Sequence, residues 1–109
     1  MSNKLKIDSA TLDNHFEIYI EVPGYSREEI SVELTHKEFD VFGFGVPVEF
    51  PCILVGAENT NRGRREVVIR LDYGKKADYN NITSTVNNGL LTVCVPKSKK
   101  YTNRTIPVM

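Results

Sequence analysis

Asn88-Gly89-Leu90-Leu91-Thr92-Val93-Cys94-Val95-Pro96-Lys97 is the stretch whose reading decides the fold. A type I′ turn needs positive φ at both central residues, which Asn tolerates and Gly takes freely, so Asn88-Gly89 predicts a tight hairpin. A strand should begin at Leu90 and pair with the one before it. Leu91, Val93 and Val95 alternate and so point into a core, while Pro96 cannot donate to a ladder and ends the strand. Beyond it, Ser98 to Thr105 reads S-K-K-Y-T-N-R-T, too polar to bury, and is expected to be a mobile tether to Ile106-Pro107-Val108. Proline at 107 holds its surroundings extended, so Ile106 and Val108 should project to one side, as alternate residues of a strand do. The pattern is that of a core with a detachable peptide hook, and a hook implies a socket.

Working toward the N-terminus, the same alternation recurs. Phe16, Ile18, Ile20 and Val22 share one face of a half-buried strand that Pro23-Gly24 breaks. Ser26-Arg27-Glu28-Glu29 has the spacing of a capped helical turn, Ser26 as cap and Glu29 three residues on. It feeds Ile30-Ser31-Val32-Glu33-Leu34, and Thr35 to Glu38 reads as a short polar connection to a further strand, Phe39 to Phe42, ending at Gly43. Gly45 to Arg64 is the longest irregular stretch, yet Val48, Phe50, Cys52, Ile53, Leu54 and Val55 within it are apolar. A structureless run of that length is unusual in a compact domain, so a short strand is expected around Pro51 to Gly56, in need of something to pair with. Val67, Ile69 and Leu71 alternate next, and Ile82, Ser84 and Val86 lead up to the Asn88-Gly89 turn. Short strands joined by turn signals, with no convincing helix, predict an all-β, antiparallel, immunoglobulin-like β-sandwich.

Composition narrows the function. A chain of 109 residues with 40% hydrophobic and 26% charged content fits one domain with one core. Lys plus Arg equals Asp plus Glu at 14 each, so nucleic acid and anionic membrane, which call for a positive excess, are not expected partners. No apolar signal region or membrane-length run is present, and a cytoplasmic location is expected. Cys52, Cys94, His15 and His36 lack metal-site or redox spacing, so no metal and no cofactor is expected. Cys94 reads as a half-buried thiol, Arg62, Arg64 and Arg65 as a solvated turn, and Glu28 and Glu29 as turn solvation rather than paired catalytic carboxylates. No Ser-His-Asp or Cys-His context or phosphate-binding loop is present, and no enzyme activity is expected.

Three motifs in this order resemble the α-crystallin domain of the small heat-shock proteins. Val22 to Leu34, V-P-G-Y-S-R-E-E-I-S-V-E-L, is similar to the family's L-P-G, short turn and I-x-V strand. Phe39 to Gly43, F-D-V-F-G, is similar to its L-x-I-x-G, and Asn87 to Lys97 to its N-G-V-L-T-V-x-V-P-K. The terminal Ile106-Pro107-Val108 resembles the family's I-x-I/V anchor. The resemblance divides the chain into a short N-terminal arm (1–14), an α-crystallin domain (15–97) with a long loop (45–64), and a C-terminal extension (98–109).

What the resemblance implies is an ATP-independent holdase that binds partly unfolded client proteins and suppresses their aggregation. Its partners would be those clients and other copies of itself, first as a dimer and then as a larger homo-oligomer. In many members a long loop lends a strand to the partner subunit, a role that falls here on Pro51, Cys52, Ile53, Leu54 and Val55. Ile106, Pro107 and Val108 would be the oligomerisation anchor, entering a groove lined by Val32, Leu34, Ile82, Ser84 and Val86 of another subunit. The chain departs from the pattern in its brief N-terminal arm, in Glu66 to Asp72, which lacks the family's Phe- and Arg-rich strand, and in the apolar character of Val48 to Val55. The alternative is a co-chaperone or other interaction module of the CS type, with the same sandwich and little holdase activity; such modules generally lack both hook and long loop.

Overall fold

The structure, a computed structural model, describes residues 5–99 and 106–109. Within these residues seven strands, β1 (Ile7–Thr11), β2 (His15–Glu21), β3 (Ile30–Phe39), β4 (Val48–Asn59), β5 (Gly63–Arg70), β6 (Thr83–Asn87) and β7 (Leu90–Pro96), form two antiparallel sheets. One sheet has the order β1-β2-β7-β6 and the other β3-β4-β5. The helical content of the described residues is three single 3-10 turns, Arg27–Glu29, Gly74–Lys76 and Tyr79–Asn81. The all-β, antiparallel sandwich is therefore as the alternation predicts.

The decisive hairpin forms as its chemistry requires. Asn88 and Gly89 take φ of 50° and 77°, and β6 pairs with β7 with Val86 opposite Leu91 and Ser84 opposite Val93. Leu91, Val93 and Val95 meet Phe16, Ile18, Ile20 and Val22 in the core, all of them buried. From the facing sheet come Ile53, Val55 and Ala57, also buried, with Val67 and Ile69 packed against them. Phe16 stacks on Tyr73 with ring centroids 3.8 Å apart, and the Lys97 ammonium lies 5.3 Å from the Phe16 ring centre. That contact closes one end of the sandwich where the chain leaves β7.

Three expectations are corrected. Thr35 to Glu38 is not a connection: β3 runs straight through it to Phe39, and the reversal falls at residues 40–47. The Asp40 carboxylate accepts from the N–H groups of Gly43 and Gly45, both at 2.8 Å, and both glycines take positive φ, so the tight chemistry lies there. Gly45 to Arg64 is not a long loop either. Its greater part is β4, a 12-residue strand at the centre of its sheet. Third, Ile7–Thr11, which the arm of 1–14 was expected to contain, is an edge strand, with Ile7 opposite Ile20 and Thr11 opposite Phe16. It is held by main-chain pairing and carries little buried side chain, so no alternation announces it.

Candidate functional site

β3 and β6 are the free edges of the two sheets on one side of the sandwich. Between them lies an open groove of about 210 Å³ lined by Val32, Leu34, Ile53, Tyr79, Asn80, Ile82, Thr83 and Ser84. Of the five residues expected to form the groove, Val32, Leu34, Ile82 and Ser84 are brought together there. Val86 is half-buried and packs against the core, as Val32 and Ile82 also do, but it does not line the groove. Leu34 is 42% exposed, a large aliphatic side chain on a free edge. An edge strand of this kind offers main-chain donors and acceptors as well as apolar pockets, the two components of strand addition.

The short 3-10 turn Tyr79–Asn81 shapes one end of the groove. Asp78 accepts from the Asn80 N–H at 3.1 Å and from the Asn81 side-chain amide at 2.7 Å, which pins the turn. The Tyr79 hydroxyl donates to the Gly74 carbonyl at 2.9 Å, and burial, with Asp72 adding to it, pushes its pKa upward. Tyr79, Asn80 and Thr83 were not foreseen as lining residues. The polar run Asp78 to Asn81 carries turn signals, and only the fold shows that this turn abuts β3.

The expected exchanged segment is placed differently. Pro51, Cys52, Ile53, Leu54 and Val55 pair within their own chain with His36, Thr35, Leu34, Glu33 and Val32 of β3. Cys52, Ile53, Leu54 and Val55 also pair with Arg70, Ile69, Val68 and Val67 of β5. Cys52, Ile53 and Val55 are buried, and Ile53 forms part of the groove rather than a loop. The pairing partner sought for this segment is thus its own neighbours on either side. Pro51 lies opposite Leu71, just past the end of β5; its carbonyl accepts from the Leu71 N–H at 2.9 Å, and as a proline it has no N–H to return, so the ladder ends there. Residues 60–62 alone join β4 to β5.

At the other terminus of the site, Ile106 and Val108 are 80% and 98% exposed. Their side chains lie in solvent, not in the chain's own groove. The expected tether from Ser98 to Thr105 falls for the most part, 100–105, outside the described residues. Its beginning is fixed: Lys97 bridges to Ala77, and the N–H groups of Lys97 and Ser98 donate to the carbonyls of Asn14 at 3.0 Å and Lys76 at 2.8 Å. Both cysteines are free thiols, Cys52 buried and Cys94 half-buried. Among the described residues no group of three or more His, Cys, Asp or Glu is arranged to hold a metal ion, and no helix is long and apolar enough to cross a membrane.

This topology, with its edge groove, agrees with what sequence comparison finds. A sequence model of the Hsp20/alpha crystallin family matches residues 8–109. The chain belongs to the Hsp20/alpha crystallin family. Curated relatives include small heat shock protein C1 of Rickettsia bellii, 28% identical over 109 residues that cover 98% of this chain and 62% of the relative. Small heat shock protein C3 of Rickettsia felis is 26% identical over 96 residues, 88% of this chain and 46% of the relative. The chain thus spans about half the length of the curated relatives it matches. Among solved structures, a small heat-shock protein of Xylella fastidiosa superposes with a TM-score of 0.66 at 20% identity, covering 96% of this chain and 95% of that one. A protein of E. histolytica, HSP18.5, gives 0.68 at 12% identity, covering 96% and 98%. At such identities the likeness to these Hsp20/alpha crystallin structures is one of fold.

Proposed function

We propose that this chain is an ATP-independent holdase that binds partly unfolded proteins in the cytoplasm, turns over no substrate, and assembles with copies of itself through Ile106-Pro107-Val108. The observation that carries the reading is the open β3–β6 groove, with Val32, Leu34, Ile82 and Ser84 around it, in a chain whose Ile106 and Val108 stand in solvent. Ile106 and Val108 of one copy enter the groove of another, adding a short strand to a free edge. Burying each side chain contributes roughly 1.5 to 3 kcal/mol, while ordering each tail residue costs about 1 to 2 kcal/mol. One hook binds weakly; several in a closed assembly gain through effective concentration and still exchange. The tether from Ser98 to Thr105 spans at most about 29 Å when extended, enough for an adjacent dimer.

The connection of residues 60–62 favours a second reading, because it leaves no long excursion between β4 and β5 to lend to a partner. That compactness is shared with CS-type interaction modules. Light scattering on the parent and on Ile106→Ala/Val108→Ala separates the two. A parent larger than a dimer, falling to a smaller species in the variant, supports the hook, and suppression of heat-induced aggregation of a model client by the parent supports the holdase. A monomer in both cases, without suppression, sinks the proposal in favour of the module.

A further inference from the structure

Away from the β3–β6 groove, a cavity of about 450 Å³ opens at the end of the sandwich, lined by Leu5, Lys6, Glu21, Pro23, Tyr25, Arg62 and Arg65. Its chemistry differs from that of the groove. Leu5 and Tyr25 are buried and supply an apolar floor, while Lys6, Arg62 and Arg65 bring positive charge to the wall. Arg64 and Arg70, close by in sequence, are paired with Glu58, Glu66 and Asp72. Among the described residues, Lys6, Arg62 and Arg65 have no ion-pair partner, even though Glu21 lines the same cavity. In a chain of zero formal net charge, this is a local excess built from separate parts of the sequence.

The fold fixes the main chain that carries these cations. Arg62 donates its N–H to the Asn59 side-chain oxygen at 2.7 Å, and its carbonyl accepts from the Tyr25 hydroxyl at 3.3 Å. Its side-chain stem lies so close over Gly24 that a Cβ there would fall 2.2 Å from Arg62 Cδ. Arg65 shares a face of β5 with Val67 and Ile69, which pack on the core, and is half-buried. Lys6 is tied through its carbonyl to the Glu21 N–H at 3.0 Å.

We infer that this cavity is a second binding site, for an acidic peptide segment carrying an apolar residue. The carboxylates meet Lys6, Arg62 and Arg65, and the apolar side chain covers Leu5, Pro23 and Tyr25. A bare inorganic anion leaves that floor unused. A nucleic-acid backbone needs a continuous positive track, which Glu21 interrupts.

The test is fluorescence anisotropy with a labelled, terminally blocked peptide Asp-Glu-Phe-Asp-Glu, titrated with the full chain. Saturable binding that weakens with salt is expected. Arg62→Gln/Arg65→Gln should lower the affinity about tenfold or more; either single change, Arg62→Gln or Arg65→Gln, should lower it, and Arg64→Gln, the same single charge removed from a paired arginine, should leave it unchanged. Glu21→Gln removes the repelling carboxylate and should tighten binding; it serves as the independent variant if the double substitution does not fold. No saturable binding, equal loss with Arg64→Gln, or no gain with Glu21→Gln overturns the assignment. So does a peptide with Ser in place of Phe that binds equally well, which marks a bare-anion site, or tighter binding of a single-stranded oligothymidylate, which marks nucleic acid. The site is independent of the hook, since none of its residues lines the β3–β6 groove.

Discussion

The Tyr25 hydroxyl donates to the Gly63 carbonyl at 3.0 Å, across 38 positions of sequence, and ties the turn after β2 to the start of β5. The ring is buried, so its one polar atom is satisfied at the part of the β4–β5 hairpin it supports. Tyr25→Phe keeps the packing and removes the donor. A loss of about 1 kcal/mol is expected, read as a lower urea midpoint with an unchanged denaturant slope.

Gly24 sits opposite the same hairpin, with φ of 84°. An alanine there is strained by its backbone and also meets the Arg62 stem. Gly24→Ala should destabilise by about 1 to 2 kcal/mol from the backbone alone. Adding Arg62→Ala relieves the collision and leaves the φ cost, so the double variant should recover part of the loss in urea denaturation and not all of it.

The Glu29 carboxylate accepts from the Ser26 N–H at 2.8 Å and from the Asn59 side-chain amide at 3.2 Å. The Ser26 backbone bond, then the Asn59 amide, holds its pKa below the ordinary 4.5. A carboxylate lowered in the folded state contributes stability that is fully present above its ordinary pKa and is lost as pH falls through the folded value. The urea midpoint of the parent should therefore decline as the solution is acidified through the carboxylate range. Glu29→Gln should flatten that part of the profile; an unchanged acid limb would show that this turn contributes nothing to it.

How far the sequence revealed this molecule follows from how each element is buried. β2 and β7 each put one face in the core, and Phe16, Ile18, Leu91 and Val93 are legible by alternation alone. Asn88-Gly89 names its own turn. The apolar run Cys52 to Val55 signals the strand expected around Pro51 to Gly56, but not its full length, Val48–Asn59, nor its place between β3 and β5, because a central strand buried on both sides shows no alternation to mark its ends. β1 left no mark, since Ile7 and Asp8 through Thr11 are joined to β2 by backbone. The groove residues Val32, Leu34, Ile82 and Ser84 were found through family motifs; alternation cannot tell a core face from a groove wall.

Leu34 offers a clean test of that wall. It is 42% exposed, so Leu34→Glu should change folding stability by no more than about 0.5 kcal/mol. Placed in the groove, the charge should nonetheless block entry of Ile106 and Val108. The expected result is an assembly as small as that of Ile106→Ala/Val108→Ala, with no further reduction when the two are combined, because they remove one interaction from opposite sides. Additive losses of mass would mean that the two act at different contacts.

The turn between β3 and β4 presents Phe42 and Phe44, 66% and 83% exposed, beyond the sandwich. The Asp40 carboxylate holds them up, accepting from Gly43 and Gly45 N–H groups. At the base, Arg70 lies over the Phe39 and Phe50 rings, 5.5 and 4.9 Å from their centres, so the hairpin is braced where it leaves the body. Exposed apolar side chains at such a tip contribute little to folding and much to association. Phe42→Ser/Phe44→Ser should leave the urea midpoint within the equivalent of about 0.5 kcal/mol, while lowering both the binding of an apolar fluorescent dye and the rate of self-aggregation on heating. Asp40→Ala, which frees the tip and keeps both rings, should leave dye binding high and speed cleavage by chymotrypsin after Phe42 or Phe44. If the serine variant unfolds at a markedly lower urea concentration, the two rings are structural and the tip is not a surface held out for contact.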